Sequence, residues 1–484
     1  MKANDPLWKY IFGPRSVAVI GASADLKRQN SGRDYLQGII ECGFKGKLYP
    51  VHPDGGELFN LKVYPDLKAI PVPVDYVISA IPARFTPQLV RDCGVKNVKL
   101  LHLFTSGFSE IEDKQGNTLQ AEITDLARQY SVRLLGPNCM GIYCPGSGLT
   151  FSMNSPVQPA FPSIIGTVSL VSQSGGHSIY FIRAANAKGL YLNKVISYGN
   201  AADINESDLI EYLSHDPETK IIGAYIEGTK DGARLARTLR EASKLKPVVV
   251  FKGGTTESGT RAAASHTSAI AGSSLIWKDM LRQSGAIQVD SMDEIVDFAM
   301  LYLREPAPLG RRTAILGFGG GASVRATDDC AHSDLTIPLL SPAIRQMLNK
   351  TLGSEAGHIF RNPIDLPPHD LPATIIASVA NIIARSGEVD LLLFHIAFDY
   401  WTFMDIAKGL SSFVSALPII KKQIHLPITV ALQFHASKRG NLVAEKLNDK
   451  LCREGLAVYS STLSAARSSD RLIRYQAWLN DNRN

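Results

Sequence analysis

Short apolar, β-branched runs alternate with amphipathic segments of helical length along the whole chain. This rhythm is typical of βαβ units, in which helices join parallel strands. The strands predicted in the first block are Ser16–Ile20, Gly46–Val51, Asp75–Ile81, Lys99–Phe104 and Val132–Leu135. Each is followed by turn-forming residues. We therefore expect the carboxyl ends of these strands to form one ligand-binding crevice.

Two further blocks repeat the alternation. The second is predicted to hold strands Thr167–Val171, Lys194–Ser197, Ile222–Ile226, Val248–Phe251 and Ala286–Val289 and helices Ser178–Lys188, Ser207–Ser214, Ala233–Ser243, Leu275–Gln283 and Asp293–Leu303. The third is predicted to hold strands Thr313–Leu316, Asp390–Phe394, Ile428–Leu432 and Ala457–Tyr459 and a last helix, Ala465–Leu479. Tyr143–Ile165 and Arg304–Arg312 lack periodicity and are interpreted as linkers. The 484 residues thus predict three domains, residues 1–145, 160–305 and 310–484.

Composition narrows the class of protein. The 51 basic and 45 acidic residues leave a net charge of +6 without a polybasic stripe, which argues against nucleic acid as a partner. No apolar run is long enough to cross a membrane, and the amino terminus lacks a signal core, so we expect a cytoplasmic protein. The six cysteines are scattered without a C-x-x-C pair, which predicts reduced thiols and no metal site.

The first candidate site is the turn in the sequence VAVIGAS. A strand that runs into Gly21, Ala22 and Ser23 and then into a helix offers backbone N–H groups to a phosphate. The full G-x-G-x-x-G pattern is missing, and the second strand does not end in the acidic residue that an NAD site prefers. A nucleotide-bearing ligand other than NAD fits better. A packing glycine in a structural turn is the alternative.

The second candidate site is the sequence VSQSGGHS. Ser172 and Ser174 can donate hydroxyl hydrogen bonds, and Gly175 and Gly176 let an anion approach the backbone at a helix start. A serine N-cap with glycine packing explains the same pattern. His177, at the start of the helix, is interpreted as structural.

The third candidate site is the glycine- and serine-rich segment Lys252–Gly272, which surrounds His266. Long loops of this kind are often functional, and a neutral imidazole can accept a phosphoryl group near pH 7. Glu227 ends the strand IIGAYIEG at the same predicted sheet edge and can orient such a ring. The alternatives are a surface-loop histidine and a solvated glutamate.

Three other features are interpreted as structural. The glycine turn Gly317–Ser323 repeats the strand-to-turn pattern, and Asn362–Pro368 is expected to be a rigid connection. Cys139 has no visible paired base, so the sequence does not predict a nucleophile there.

Eight motifs, in order along nearly the whole chain, resemble the NDP-forming acyl-CoA synthetases, which include ADP-forming acetate–CoA ligase and the α subunit of succinyl-CoA synthetase. The motifs are VAVIGAS, KGKLYPVHP, DYVISAIPA, LLGPNCMGI, VSLVSQSGG, SYGNAADINESDLIEYL, DPETKIIGAYIEG and SHTSAIAG. The resemblance implies an α/β fold, with a Rossmann-like CoA-binding domain followed by two flavodoxin-like parallel-sheet domains.

The resemblance also implies residue roles. His266 matches the histidine that is transiently phosphorylated, and Glu227 matches the acid that hydrogen-bonds it. Ser172, Ser174, Gly175 and Gly176 match the turn before the helix that holds the phosphate. The residues matching the CoA site are Gly21, Ala22, Ser23, Pro53, Ile81, Pro82, Thr105, Ser106 and Asn138.

The implied activity interconverts acyl-CoA, ADP and phosphate with a carboxylic acid, CoA and ATP through an acyl phosphate and a phosphohistidine. Mg-nucleotide is expected on a separate ATP-grasp β-type subunit, which implies a hetero-oligomer. The chain departs from the family at Ala201, where lysine is common, at Ser268, where glycine is usual, and at Gly317–Gly320, where Asn-Gly-Gly is usual. The alternative is a CoA-binding or scaffold protein of the same fold without phosphotransfer. An NAD-dependent oxidoreductase fits less well.

Overall fold

The computed structural model describes residues 2–27, 29–111, 113–151, 161–259, 261, 273–353, 359–366, 371–397, 407–433 and 438–482. The chain divides into two compact units, one formed by residues 1–186 and 191–292 and the other by residues 187–190 and 293–484. The first unit holds two large sheets and the second unit holds one. The three-domain division stays a prediction. No helix among the described residues is long and apolar enough to span a membrane.

The first sheet is parallel throughout, with the order β2-β1-β5-β6-β7. Its strands are β1 (Ser16–Ile20), β2 (Lys47–Val51), β5 (Tyr76–Ser79), β6 (Leu100–Leu103) and β7 (Arg133–Leu135), and a hairpin adds β3 (Glu57–Leu58) and β4 (Leu61–Lys62). The helices of this part are α1 (Trp8–Phe12), α2 (Ser31–Glu41), α3 (Thr86–Val95) and α4 (Lys114–Gln129). All five predicted strands are confirmed to within two residues at each end. The hairpin was not predicted.

The second sheet has the order β13-β12-β11-β9-β10-β8 and is parallel except for the edge strand β8. Its strands are β8 (Gly141–Tyr143), β9 (Val168–Ser172), β10 (Leu192–Ser197), β11 (Ile221–Ile226), β12 (Val248–Lys252) and β13 (Ile287–Val289). The helices are α5 (Gly175–Ala187), α6 (Glu206–His215), α7 (Gly232–Leu245) and α8 (Ser274–Ser284). The predicted strands and helices are confirmed with small shifts of their ends.

The interpretation of Tyr143–Ile165 as a linker is wrong for its described start. Tyr143 belongs to β8, and Leu149 and Phe151 are buried, while Cys144 and Leu149 form an antiparallel bridge. The segment packs its apolar side chains into the first unit because β8 pairs with the edge of the second sheet.

The third sheet forms the second unit, with the order β15-β16-β14-β17-β18-β19. Its strands are β14 (Thr313–Gly317), β15 (Ile359–Phe360), β16 (Ile364–Asp365), β17 (Leu391–Ala397), β18 (Ile428–Gln433) and β19 (Ala457–Tyr459). The helices are α9 (Met292–Arg304), α10 (Gly320–Ala331), α11 (Pro342–Leu352), α12 (Ala373–Ala384), α13 (Ala407–Gln423), α14 (Lys438–Arg453) and α15 (Thr462–Asp481). The described part of Asn362–Pro368 is more than a rigid connection, because it contains β16.

The strand orders place two connections side by side at the carboxyl edge of each sheet. In the first sheet β1 lies between β2 and β5, and in the second sheet β9 lies between β10 and β11. The chain leaves these neighbouring strands in opposite directions, so a crevice opens between their ends. The turn at Gly21 borders the crevice of the first sheet, and the turn at Ser172 borders that of the second.

Arginine–aspartate pairs fix the amino ends of central strands. Arg15 donates to the Asp75 carboxylate from its backbone N, Nε and Nη2 at 3.0, 3.1 and 3.2 Å. Arg312 and Asp390 repeat the arrangement in the third sheet, with distances of 2.9, 3.1 and 2.7 Å. Burial tends to raise the pKa of Asp75, but the bonds from Arg15 outweigh it, and the pKa lies below its ordinary value.

We expect Asp75→Asn to lower the free energy of unfolding by about 1–3 kcal/mol, because it weakens a bidentate, charge-assisted contact. The loss should be present at neutral pH and should vanish as the pH falls through the lowered pKa of Asp75. Urea unfolding at several pH values measures it. Asp125→Asn is the matched control, because Asp125 pairs with Arg128 on the exposed face of α4. An equal effect of both variants would contradict the prediction.

Candidate functional site

The predicted CoA edge is built around a glycine that the fold requires. Gly21 has φ +95°, and a Cβ there would lie 2.7 Å from the carbonyl oxygen of Ala80. Its N–H donates to Val51 O at 2.9 Å, and the N–H of Ala22 donates to the same oxygen at 3.2 Å. Because both N–H groups are engaged within the protein, the phosphate contacts expected from them are not available in this structure.

The remaining residues predicted for CoA lie along the same edge. Thr105 Oγ1 donates to Ile81 O at 2.5 Å, and Asn138 N donates to Thr105 O at 3.0 Å. These bonds tie the turns that follow β5, β6 and β7. Pro53, Pro82 and Ser106 are exposed, whereas Ser23, Ile81, Thr105 and Asn138 are half-buried. The structure therefore brings these predicted residues to one accessible edge, and their contact with CoA stays a prediction.

The predicted phosphate turn lies at the start of α5. The Ser172 hydroxyl is buried, donates to Ser174 O at 2.7 Å and accepts from Ser174 N at 3.2 Å, so it shapes the turn. Gly175 and Gly176 form the first turn of α5, and no described residue accepts a hydrogen bond from their N–H groups. A Cβ at Gly175 would meet Met140, while Gly176 is open towards solvent. These N–H groups give an anion access to the positive end of α5.

Glu227 follows β11, directly beside the end of β9. Its Oε1 accepts from the Tyr225 hydroxyl at 3.1 Å. Its Oε2 is buried and has no partner among the described residues. A buried carboxylate oxygen costs free energy when it is left unpaired, so this oxygen is positioned for a donor that a substrate or another part of the chain supplies.

Gln173 joins the phosphate turn to Glu227. Its Oε1 accepts from the backbone N of Glu227 at 2.8 Å and from that of Gly228 at 3.2 Å. Burial of the Gln173 side chain keeps water from competing for these bonds. One side-chain oxygen therefore links the phosphate turn to the backbone that carries Glu227, in addition to the pairing of β9 with β11.

Lys252 brings a buried positive charge to the same edge. Its Nζ donates to the carbonyl oxygens of Glu227, at 2.7 Å, and Gly253, and lies 5.0 Å from the centre of the Trp277 ring. Burial lowers the pKa of Lys252 to about 8, against the opposing effect of the Glu227 charge. The sequence predicts no separate role for Lys252, which is only the first residue of the histidine segment, and includes Gln173 only as a member of the turn that resembles the phosphate site.

His266 and Ser268 lie outside the described residues. Ala201, where the family commonly has lysine, lies within the described residues. Its carbonyl oxygen accepts from Lys230 Nζ at 2.9 Å, and the carbonyl oxygen of Asn200 accepts from the same atom at 3.1 Å. An ammonium group thus stands beside position 201 although its side chain is apolar. These residues border a small cleft, lined by Gln173, Asn200, Ala201, Asn205, Glu206, Ser207, Gly228, Thr229, Lys230, Asp231 and Arg234.

The structure gives no support to catalysis at Cys139. Its thiol is buried, and burial raises its pKa far above the ordinary value. The nearby His102 contacts the backbone oxygen of Cys139, at 3.1 Å, and not the sulfur. At the glycine turn of the third sheet, the imidazole of His395 fills the space that a side chain at Gly317 would need. No group of His, Cys, Asp and Glu among the described residues could hold a metal ion.

Comparison with known proteins places this geometry in a class. The family described as "CoA binding domain" matches residues 15–145, and that described as "Succinyl-CoA ligase like flavodoxin domain" matches residues 165–302. The two candidate edges fall one in each matched region. The chain thus carries a CoA-binding domain followed by a flavodoxin-like domain of the succinyl-CoA ligase type.

Relatives and a solved structure narrow the class. The α subunit of ADP-forming acetate–CoA ligase II from Pyrococcus furiosus is 31% identical over 465 residues, covering 96% of this chain and 97% of the relative. The α subunit of ligase I from the same organism is 36% identical over 363 residues, covering 74% and 76%. A dinucleotide-forming acetyl-CoA synthetase 1 from Ca. Korarchaeum cryptofilum, in complex with phosphate and ADP, has a TM-score of 0.81 at 28% identity, covering 98% and 97%. The chain belongs to the family of ADP-forming acyl-CoA ligases, as an α-type subunit.

The buried charge of Lys252 predicts a pH-dependent stability. The folded-state pKa of about 8 lies below the value of about 10.4 in an unfolded chain. Between these values the unfolded state binds more protons, so the contribution of Lys252 to folding becomes more favourable as the pH rises. We expect the wild type to gain stability relative to Lys252→Met between pH 8 and pH 10. Lys278→Met, at an exposed position of α8, should show no such change in chemical unfolding. A constant difference between the wild type and Lys252→Met would contradict the assignment.

Proposed function

We propose that the protein catalyses the acyl-transfer half of an ADP-forming acyl-CoA ligase through an acyl phosphate and a phosphohistidine at His266. The observation that carries this proposal is the vacant, buried Oε2 of Glu227, beside the amino end of α5. A carboxylate at this point can accept a hydrogen bond from the N–H of one imidazole nitrogen, which leaves the lone pair of the other nitrogen as the nucleophile. The open N–H groups of Gly175 and Gly176 suit the phosphate that reacts there.

The reaction then takes three balanced transfers. A phosphate oxygen attacks the thioester carbonyl, the C–S bond breaks, and CoA leaves as its thiolate, so that an acyl phosphate forms. An imidazole nitrogen of His266 attacks the phosphorus atom, and the carboxylate of the acid leaves. An oxygen of ADP takes the phosphoryl group from His266 to give ATP. Positioning and charge neutralisation by α5 and Glu227 provide the protein's contribution to each step.

The names of the relatives support a choice of substrates and partner. In this proposal CoA lies along the edge formed by Gly21, Ser23, Pro82 and Ser106. Mg-nucleotide binds to an ATP-grasp β-type partner, since two relatives carry the name of an α subunit. Other relatives are named for acetate, 4-hydroxybutyrate or trans-ferulate, and the chain covers only 48–50% of the length of three of them. A panel of acyl-CoA thioesters is therefore needed to identify the carboxylic acid that this protein uses.

Labelled phosphate and a panel of acetyl-, 4-hydroxybutyryl- and feruloyl-CoA test the phosphohistidine. We expect acid-labile, base-stable label on the wild-type chain with at least one acyl-CoA, because the first two transfers need no partner. His266→Ala should abolish the label. His215→Ala is the matched control, an exposed histidine at the end of α6, and should keep it.

Two outcomes would overturn the proposal in different ways. Label that persists in His266→Ala would show that another residue is phosphorylated. Absence of label with every acyl-CoA, together with measurable CoA binding, would favour the alternative, a CoA-binding or scaffold protein of this fold.

Glu227→Gln should slow formation of the label about tenfold or more, because an amide oxygen is a weaker acceptor than a carboxylate for an imidazole N–H. Rapid quenching at saturating acyl-CoA and phosphate measures this rate. Glu241→Gln, on the exposed side of α7, is the control. An unchanged rate in Glu227→Gln would remove the glutamate from the mechanism.

A further inference from the structure

The sequence interprets His177 as a structural residue at the start of a helix, but its side chain makes two specific contacts that a helix start does not require. Its ring stacks on the Tyr225 ring, with centroids 4.2 Å apart and planes inclined by 10°. Its Nδ1 lies 3.1 Å from Ser174 Oγ, at the turn before α5. The Tyr225 hydroxyl reaches Glu227, so a continuous set of contacts joins the proposed phosphate turn to the proposed acidic residue.

The position of the imidazole proton of His177 decides whether the Ser174 hydroxyl can donate a hydrogen bond to an anion. A serine hydroxyl donates one hydrogen bond and accepts two. The backbone N of His177 lies 3.3 Å from Ser174 Oγ and donates to it, which occupies one acceptor position. If Nδ1 carries the imidazole proton, the Nδ1–H group donates to the second acceptor position of Ser174 Oγ, and the hydroxyl is free to donate to an anion. If Nε2 carries the imidazole proton instead, Nδ1 accepts a hydrogen bond from the serine hydroxyl, and the anion loses a donor.

We propose that His177 is a positioning residue, which holds Ser174 Oγ through an Nδ1–H donor and so turns the serine proton towards the phosphate at the start of α5. The inference rests on the proposed function for the identity of the anion. The stacked Tyr225 ring fixes the plane of the imidazole. Tyr225 is itself held through its hydroxyl, whose pKa burial and the Glu227 charge raise, so that the phenol remains a donor.

The surroundings of His177 favour a neutral ring with a fixed orientation. Burial lowers its pKa, against the effect of the Glu227 charge, so that the ring is neutral at pH 7. Phe251 contacts it edge-on, with centroids 6.0 Å apart. Rotation of the ring out of its plane would lose both aromatic contacts, and these are worth about 0.5–1.5 kcal/mol for each aromatic pair. The fixed plane of the imidazole can therefore hold Nδ1 beside the Ser174 hydroxyl and direct it.

Two substitutions separate the hydrogen bond from the stacking. His177→Phe keeps a ring against Tyr225 but has no Nδ1, whereas His177→Asn can place an amide N–H near Ser174 but loses the stack. We expect His177→Phe to raise the half-saturating concentration of inorganic phosphate in the labelling reaction about tenfold, or about 1.4 kcal/mol. The rate at saturating phosphate should change less than twofold. His177→Asn should stay within about threefold of the wild type.

Direct measurements of phosphate binding and of the imidazole proton make the test independent of the labelling reaction. Calorimetric titration with inorganic phosphate should show the same loss of affinity in His177→Phe, and His215→Phe should bind as the wild type does. Long-range ¹H–¹⁵N spectra, with the His177 signal assigned by its absence in His177→Phe, should show the proton on Nδ1 when phosphate is bound.

The outcomes distinguish this inference from the proposed function. Phosphate binding that weakens in His177→Phe, without label in the wild type, would refute the phosphohistidine and leave the positioning role standing. An Nε2 proton with phosphate bound, unchanged affinity in His177→Phe, or equal losses in both variants would overturn the inference. If His177→Phe does not fold, the wild-type spectrum, assigned with His177→Asn, decides alone.

Discussion

The candidate site depends on the point where β9 and β11 lie side by side. Ser172 pairs with Tyr225 in the register of these parallel strands, and the chain then leaves the two strands in opposite directions. The resulting gap would expose backbone N–H groups to water. Gln173 closes it by accepting from two of them, at Glu227 and Gly228. This contact adds to the strand pairing and to the bond from Gln173 N to Tyr225 O, at 3.0 Å, in holding the turn beside the glutamate.

Electrostatics at this edge are balanced by backbone groups as well as side chains. The amino end of α5 contributes a partial positive charge, and Lys252 contributes a full one close to the Glu227 carboxylate. Lys252 Nζ donates to two carbonyl oxygens at the strand ends, and these carbonyl dipoles stabilise its charge. Such a site can hold an anion without a metal-binding cluster among its described residues.

The first and third sheets share two stabilising contacts. Arg15 with Asp75 and Arg312 with Asp390 hold the amino ends of the central strands in the first and third sheets. In both, a histidine packs against a glycine: His102 against Gly141 and His395 against Gly317. Both imidazoles are buried, which lowers their pKa to about 4 and keeps them neutral in the fold.

The amino-acid sequence by itself determined the α/β class, most of the longer strands and the family, because apolar periodicity and ordered motifs are local properties of the chain. Among the described residues it missed the short strands β3, β4, β8, β15 and β16, since runs of two or three residues seldom show a period. Gly21, Ser174 and Glu227 could be selected from turn chemistry alone. Only the tertiary structure decided that the N–H groups of Gly21 and Ala22 are engaged, that Gln173 joins two strand ends, and that His177 stacks on Tyr225. These contacts join residues far apart in the chain, so their distances depend on how the strands pair and on which face each side chain occupies.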